Sequence, residues 1–267
     1  MTFDLGPALL FVPGDRPERL TKALERADAA ILDLEDAVSA DAKPSARAAM
    51  IAADPDPERV IVRVNGPETP DFALDLEALA RTRIRRVMVA KAEDPASLVP
   101  LEAYEVIALC ETARGVVHAE QLAALPQVLA LMWGAEDLVA SLGGTSSRRD
   151  DGGYRDVARL ARARVLLAAG ASGKRAIDAV HVDIADLDGL SDEARDAAAS
   201  GFAATACIHP GQVATIRAAY APSVAQVAWA RGVLVAAEGE RGVFRHEGRM
   251  IDEPILRHAR SVVARAG

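Results

Sequence analysis

Short apolar runs alternate with amphipathic segments along most of this chain, and that alternation restricts the fold more than any other feature. Ala8–Pro13, Ala29–Leu34, Val60–Val64, Arg86–Ala90, Val106–Cys110, Val128–Trp133, Ala176–Val180 and Ala204–Ile208 are brief and mostly aliphatic. Continuous apolar runs of this length read as strands buried on both faces. Between them lie helix-patterned stretches: Pro17–Arg26, Pro44–Ala52, Phe72–Arg81, Ala96–Leu101, Val116–Leu125, Tyr154–Ala169 and Ser191–Ser200. Pro17 and Pro44 stand where a first helical turn accepts proline.

Eight strands alternating with helices predict an α/β fold, a (β/α)8 TIM barrel, whose usual length of about 250 residues matches this chain. An open doubly wound sheet is the alternative. The barrel is preferred because polar residues follow nearly every run instead of clustering after two. Those groups are Gly14-Asp15-Arg16, Glu35-Asp36, Asn65-Gly66, Lys91, Glu111-Thr112, Glu136-Asp137, Asp183 and His209-Pro210. Beyond the eighth run come a helix over Gln212–Tyr220, a helix over Ser223–Ala237, a hairpin turning at Glu247-Gly248, and a final helix over Glu253–Ala266. The expected organisation is a barrel over 1–221 and a helix–hairpin–helix extension over 222–267. A barrel is already closed, so the extension packs outside it or on a neighbouring subunit.

Charge and composition narrow the function. A net charge of −8 on 267 residues argues against general nucleic-acid or membrane-surface binding, so an anionic substrate needs a locally basic site. Cys110 and Cys207 lie within apolar runs and read as buried, reduced thiols of a cytoplasmic protein. No apolar run reaches transmembrane length, and the N-terminus has no signal-peptide pattern. Five scattered histidines argue against zinc.

Glu111 and Asp137 each follow an apolar run and precede a helix. Two strand-end carboxylates on neighbouring barrel strands are a candidate site for a hard cation such as Mg²⁺, which keeps water and substrate oxygens beside one or two carboxylates. Either acid alone is equally explained as a helix cap. Arg63, inside Val60–Val64, needs a partner or a polar cavity. It fits a substrate carboxylate, and equally an ion pair with Glu35 or Asp36. Asp33, Glu35 and Asp36 crowd one strand end, where they suit orientation of metal-bound waters or of Arg63. Lys91 is one of only four lysines, and both a Schiff-base role and an electrostatic role beside the acids fit it. The turn containing Gly14 and Arg16 combines a glycine, a cation and a helix N-terminus, as a phosphate site does, but lacks P-loop spacing. Leu142–Gly153 reads as a lid, a contact for an anionic cofactor tail, or a plain surface loop. His209 reads as a catalytic group or a structural residue before Pro210.

Seven stretches taken together resemble the citrate lyase β-subunit-like family of the HpcH/HpaI aldolase superfamily. They are LFVPGDRPERL (Leu10–Leu20), ILDLEDAV (Ile31–Val38) with Lys43, VRVN (Val62–Asn65), ALCETARG (Ala108–Gly115), WGAEDL (Trp133–Leu138), CIHPGQV (Cys207–Val213) and GRMIDEP (Gly248–Pro254). The resemblance implies a TIM barrel holding Mg²⁺, with Mn²⁺ as a substitute, on Glu111 and Asp137. It implies that Arg63 grips the carboxylate of a 2-oxo acid. Arg16, Lys43, Glu111, Gly134 and Ala135 join Arg63 as substrate-binding positions. Glu35, Asp36 and Lys91 join Arg63 and Asp252 as catalytic ones. Asp252 is placed in a neighbouring subunit's site, which requires a homo-oligomer, a trimer or hexamer. One departure is Ala90-Lys91, where the family often has Pro-Lys. The chain resembles the stand-alone members that cleave citramalyl-CoA or malyl-CoA into acetyl-CoA and a 2-oxo acid. The alternatives are a citrate lyase β subunit serving an acyl-carrier protein, and a non-catalytic acyl-CoA-binding barrel.

Overall fold

The computed structural model describes residues 3–240 and 242–266. Eight parallel strands close into a barrel in chain order, β1 through β8, with β8 returning to pair with β1. They are β1 Ala8–Pro13, β2 Ala29–Asp33, β3 Val60–Val64, β4 Arg86–Val89, β5 Glu105–Cys110, β6 Val128–Trp133, β7 Arg175–Asp178 and β8 Ala204–Cys207. The doubly wound alternative is thereby excluded. Leu9, Ile31, Ile61, Met88, Ile107, Leu109, Met132, Ile177 and Ala206 meet in one buried cluster. These are inward positions of successive strands, so the barrel interior is a packed core.

The connecting helices are α1 Glu18–Arg26, α2 Lys43–Ala53, α3 Pro70–Leu79, α4 Ala113–Val117, α5 Ala119–Ala123, α6 Ala135–Ser141, α7 Asp156–Ala171, α8 Leu187–Ser200 and α9 Val213–Tyr220. Three local expectations change. Pro95–Leu101 is a 3₁₀ turn, started by an Asp94 side-chain cap and interrupted by Pro100. The helix expected over Val116–Leu125 is two short helices that break at His118. Asp137 does not end β6. It sits in the first turn of α6, where negative charge is favoured.

The described residues divide into two compact units, the first ending at Ile216 and the second beginning at Arg217. The second unit contains α10 Val224–Ala237, β9 Phe244–His246, β10 Arg249–Ile251 and α11 Glu253–Ala266. Ser223 caps α10 reciprocally with Gln226. Glu247 and Gly248 both have positive φ, 46° and 79°, the geometry of a tight two-residue hairpin turn. Ala230, Val233, Ile251, Ala259 and Val262 form this unit's own small core.

Candidate active site

The C-terminal ends of the strands gather most of the groups singled out in the sequence. Asp33 and Arg63 are register partners on β2 and β3. Arg63 Nε donates to Asp33 Oδ1 at 2.7 Å and Nη2 to Oδ2 at 2.6 Å, a bidentate pair. Nη1 lies 3.1 Å from Glu35 Oε2, and the guanidinium stacks over Phe11. Arg63 is therefore ion-paired, as one reading of the sequence held. Its partners are Asp33 and Glu35, and Asp36 makes no pair with it. Burial works against its charge, but Asp33 and Glu35 outweigh it and hold the guanidinium protonated. Three of its five N–H donors are engaged by described residues, which leaves two for a ligand.

Glu111 follows β5 and is 3% exposed. Its Oε1 accepts the Lys91 backbone N–H at 3.0 Å, while Oε2 accepts no hydrogen bond from any described residue. A Cβ on Gly134 would stand 2.9 Å from that Oε2 and 2.9 Å from Glu111 Cβ, so the carboxylate lies directly over a position where only glycine fits. Burial pushes the Glu111 carboxyl up to about 8, the Asp137 charge adds to this, and Arg63 and Lys91 oppose it. Among described residues Asp137 is ion-paired only to the Lys91 ammonium, at 3.3 Å.

Lys91 has a left-handed backbone, with φ of 50°. Its Nζ donates to Glu35 Oε1 and lies 3.2 Å from Asp36 Oδ2 and 4.0 Å from Glu111 Oε1. Burial works against the charge, but these carboxylates hold the ammonium well above the ordinary lysine range. An amine held so firmly as an ammonium is a poor nucleophile, so the geometry supports the electrostatic role over the Schiff-base one. Glu35 is raised by burial against the pull of Arg63 and Lys91. Asp36 is lowered, because Lys91 and hydrogen bonding outweigh burial.

Arg63, Glu111, Gly134, Ala135 and Asp137 line one cavity of about 200 Å³, with Asp33, Glu136, Phe11, Leu109, Met132, Trp133 and Ile208. A larger cavity of about 450 Å³ lies at the opposite ends of β6 and β7, near Leu129 and Arg175, on the face that serves barrel stability.

Other expected residues take different places. Lys43 was expected to bind substrate. Its ammonium donates to Leu34 O and Glu35 O, each at 3.1 Å, and to Asn65 Oδ1, which leaves no proton for a ligand. Arg16 is exposed on the turn after β1. Asp252 belongs to the second unit, where its Oδ1 accepts from Ile255 N at the head of α11. His209 caps a short turn with Gln212, a structural role. The loop over Leu142–Gly153, read as a lid, a tail contact or a surface loop, is tied down. Ser147 Oγ donates to Glu136 Oε1 at 2.6 Å, Arg148 pairs with Glu193 and covers Tyr154, and Arg149 pairs with Asp156. Arg148 and Arg149, the cations this loop would offer to an anionic tail, therefore already have carboxylate partners.

Sequence reasoning missed Trp133, whose Nε1 donates to Asp178 Oδ1 at 2.6 Å, with Arg162 pairing the same carboxylate. It also missed Asp75, fully buried, which accepts from Asn65 and Arg47. An acid inside a helix that otherwise reads as amphipathic was the available signal for Asp75. Nothing in the sequence pointed to Asp178 as the partner of Trp133.

The donor set fits a hard cation. Asp33, Glu35, Asp36, Glu111 and Asp137 face Arg63 and Lys91, so negative charge exceeds positive at this mouth. No three His, Cys, Asp or Glu residues among those described could hold a metal by themselves. Glu111 and Asp137 would leave most positions around Mg²⁺ to water and ligand, as that ion prefers.

Residues 8–210 match the family model described as HpcH/HpaI aldolase/citrate lyase. A citrate lyase subunit beta-like protein of Mycobacterium tuberculosis is 55% identical over 98% of this chain and 96% of its own length. The mitochondrial citramalyl-CoA lyase of Homo sapiens is 31% identical over 97% of this chain and 85% of its own. A crystal structure of CitE from Mycobacterium tuberculosis with magnesium, acetoacetate and coenzyme A superposes with a TM-score of 0.95 at 55% identity, covering 99% of each chain. With the closed barrel and its acidic mouth, these matches establish that the chain belongs to the HpcH/HpaI aldolase/citrate lyase family and is an enzyme of its lyase class.

Proposed function

We propose that this lyase uses Mg²⁺ to break and form a carbon–carbon bond in a 3-hydroxyacyl-CoA, with citramalyl-CoA giving acetyl-CoA and pyruvate as the favoured example. The observation that carries this reading is the pairing of a buried, half-satisfied carboxylate, Glu111, with Asp137 in the cavity that also holds Arg63. The magnesium, acetoacetate and coenzyme A bound by the 55%-identical CitE support it, as does the human citramalyl-CoA lyase.

Glu111 and Asp137 would hold Mg²⁺, or Mn²⁺ in its place, and the ion would act as a Lewis acid that acidifies the substrate hydroxyl. Arg63 offers its two remaining N–H donors to the substrate carboxylate, and Asp33 and Glu35 keep the guanidinium fixed. Phe11, Leu109 and Met132 line the apolar side of the cavity and exclude water from the reacting carbon. The hydroxyl proton passes to water at the cavity mouth, and the bond between the carbinol carbon and the thioester's α-carbon breaks. Its electron pair passes to that α-carbon as an acetyl-CoA enolate, and the carbinol carbon becomes the ketone of pyruvate. Asp252 of a second copy would protonate the enolate carbon, so activity would require a homo-oligomer built through residues 222–267. Lys91, Glu35 and Asp36 act by charge on this arrangement. Arg16, exposed beside the mouth, is assigned to the anionic coenzyme tail.

The test is a Mg²⁺-dependent assay of citramalyl-, malyl-, citryl- and 3-hydroxy-3-methylglutaryl-CoA as free thioesters. Turnover of citramalyl-CoA that stops on chelation is the expected result. Cleavage only of carrier-bound citryl thioester would replace this reading with a citrate lyase β subunit, the role in the name of the 55%-identical relative.

A further inference from the structure

Lys91 stands out because one residue makes two different attachments to the acid cluster. Its backbone N–H holds Glu111 Oε1 at 3.0 Å, and its ammonium reaches carboxylates from three elements. A left-handed φ of 50° at a lysine is strained, and such strain persists where the surroundings over-determine it. Here the strain lets the N–H face Glu111 while the side chain crosses the mouth.

The four ammonium contacts are unequal. Glu35 and Asp36 make hydrogen bonds to Nζ, whereas Asp137 at 3.3 Å and Glu111 at 4.0 Å are held by charge alone. The stronger berth is therefore the pair that ends β2. The weaker pair is the one placed to hold a divalent ion. An ammonium 3.3 Å from Asp137 screens that carboxylate and repels an arriving cation.

We infer that Lys91 is a resident counter-cation that neutralises Asp137, beside Glu111, before metal arrives, and then yields this pair while keeping its bonds to Glu35 and Asp36. The inference rests on the proposed metal site and adds to it a positioning residue that weakens metal binding in exchange for screening the repulsion between its acids. The ammonium stays within the mouth after the exchange, a second cation beside the position of an anionic substrate.

Mn²⁺ binding followed by electron paramagnetic resonance, without substrate, tests this independently of catalysis. Lys91→Met should bind Mn²⁺ at least about tenfold more tightly than wild type, because a like charge a few ångströms away has been removed. Lys91→Arg should restore wild-type affinity. Weaker or unchanged binding in Lys91→Met overturns the inference and leaves the metal site standing. Absence of Mn²⁺ binding in wild type overturns both. A second measurement is read on the wild-type protein, with Lys91→Arg used only to assign the resonance. The chain has four lysines, Lys22, Lys43, Lys91 and Lys174, so ¹³Cε-lysine labelling gives a readable spectrum. Mg²⁺ should shift one resonance, identified by its loss in Lys91→Arg. A spectrum that Mg²⁺ leaves unchanged overturns the exchange.

Discussion

Replacing Glu111 by glutamine should stabilise the metal-free protein at alkaline pH while removing its response to Mg²⁺. Glutamine has the same shape and keeps the oxygen that accepts the Lys91 N–H. It removes only the buried charge. Burial, chiefly, raises the carboxyl from 4.5 to about 8, which corresponds to at most about 5 kcal/mol against the ionised form. The sign follows from proton binding. Between 4.5 and about 8 the folded protein holds a proton that the unfolded chain has lost, so this group's contribution to stability is full below 4.5 and is lost as pH rises through about 8. At pH 9 wild type therefore carries an ionised, buried Glu111. Relaxation around the charge and water entry reduce the penalty, and about 2 kcal/mol is the working figure. For a chain of this size that is a gain of about 4–8 °C in melting temperature for Glu111→Gln in EDTA at pH 9. At pH 4.5 the two proteins should melt together. Mg²⁺ should raise the melting temperature of wild type at pH 9 and leave the variant unmoved. Thermal melts at both pH values, with EDTA or Mg²⁺, decide it. A variant less stable than wild type at pH 9, or one stabilised by Mg²⁺ as much as wild type, would refute the reasoning.

Three further outcomes follow from the same geometry. Gly134→Ala places a methyl 2.9 Å from Glu111 Oε2, so titration calorimetry should show Mg²⁺ affinity reduced at least about tenfold, with far-UV circular dichroism unchanged; unchanged affinity would mean that the carboxylate can move aside freely. Arg63→Met strands Asp33 and Glu35 in the core, and urea unfolding should report a loss of about 3–5 kcal/mol, a loss that Asp33→Asn in the same chain partly restores. Borohydride added with pyruvate should leave the mass of the protein unchanged, because the Lys91 amine is held as an ammonium by its carboxylates; an adduct on Lys91 would reinstate Schiff-base chemistry.

Strand positions were legible almost to the residue. Ala8–Pro13 and Val128–Trp133 begin and end where the apolar runs do, because strands buried on both faces favour unbroken apolar sequence, and Val60–Val64 does so although Arg63 interrupts it. The hairpin turn at Glu247-Gly248 was legible for a similarly local reason, since its geometry demands positive φ at both residues. The Ala96–Leu101 helix and the single helix across His118 were misread, because a cap, an internal proline and packing decide such short segments. In the site, the acids and Arg63 were legible as residue types out of place in apolar runs. Their partners were not. Asp33 became the partner of Arg63 through β2–β3 register, and the protons of Lys43 went to Leu34, Glu35 and Asn65.

The chain by itself therefore determined the alternation that makes a barrel, the family it belongs to, and the two acids suited to a metal. Those features are written in local periodicity and in motifs. Only the tertiary structure decided that Glu111 lies buried against a glycine, that Asp137 opens a helix instead of closing a strand, and that Lys91 lies among four carboxylates. The physical reason is that these are properties of strands brought together across the barrel. Burial and the charges of distant segments set them, and neither is encoded in the spacing of residues along the chain.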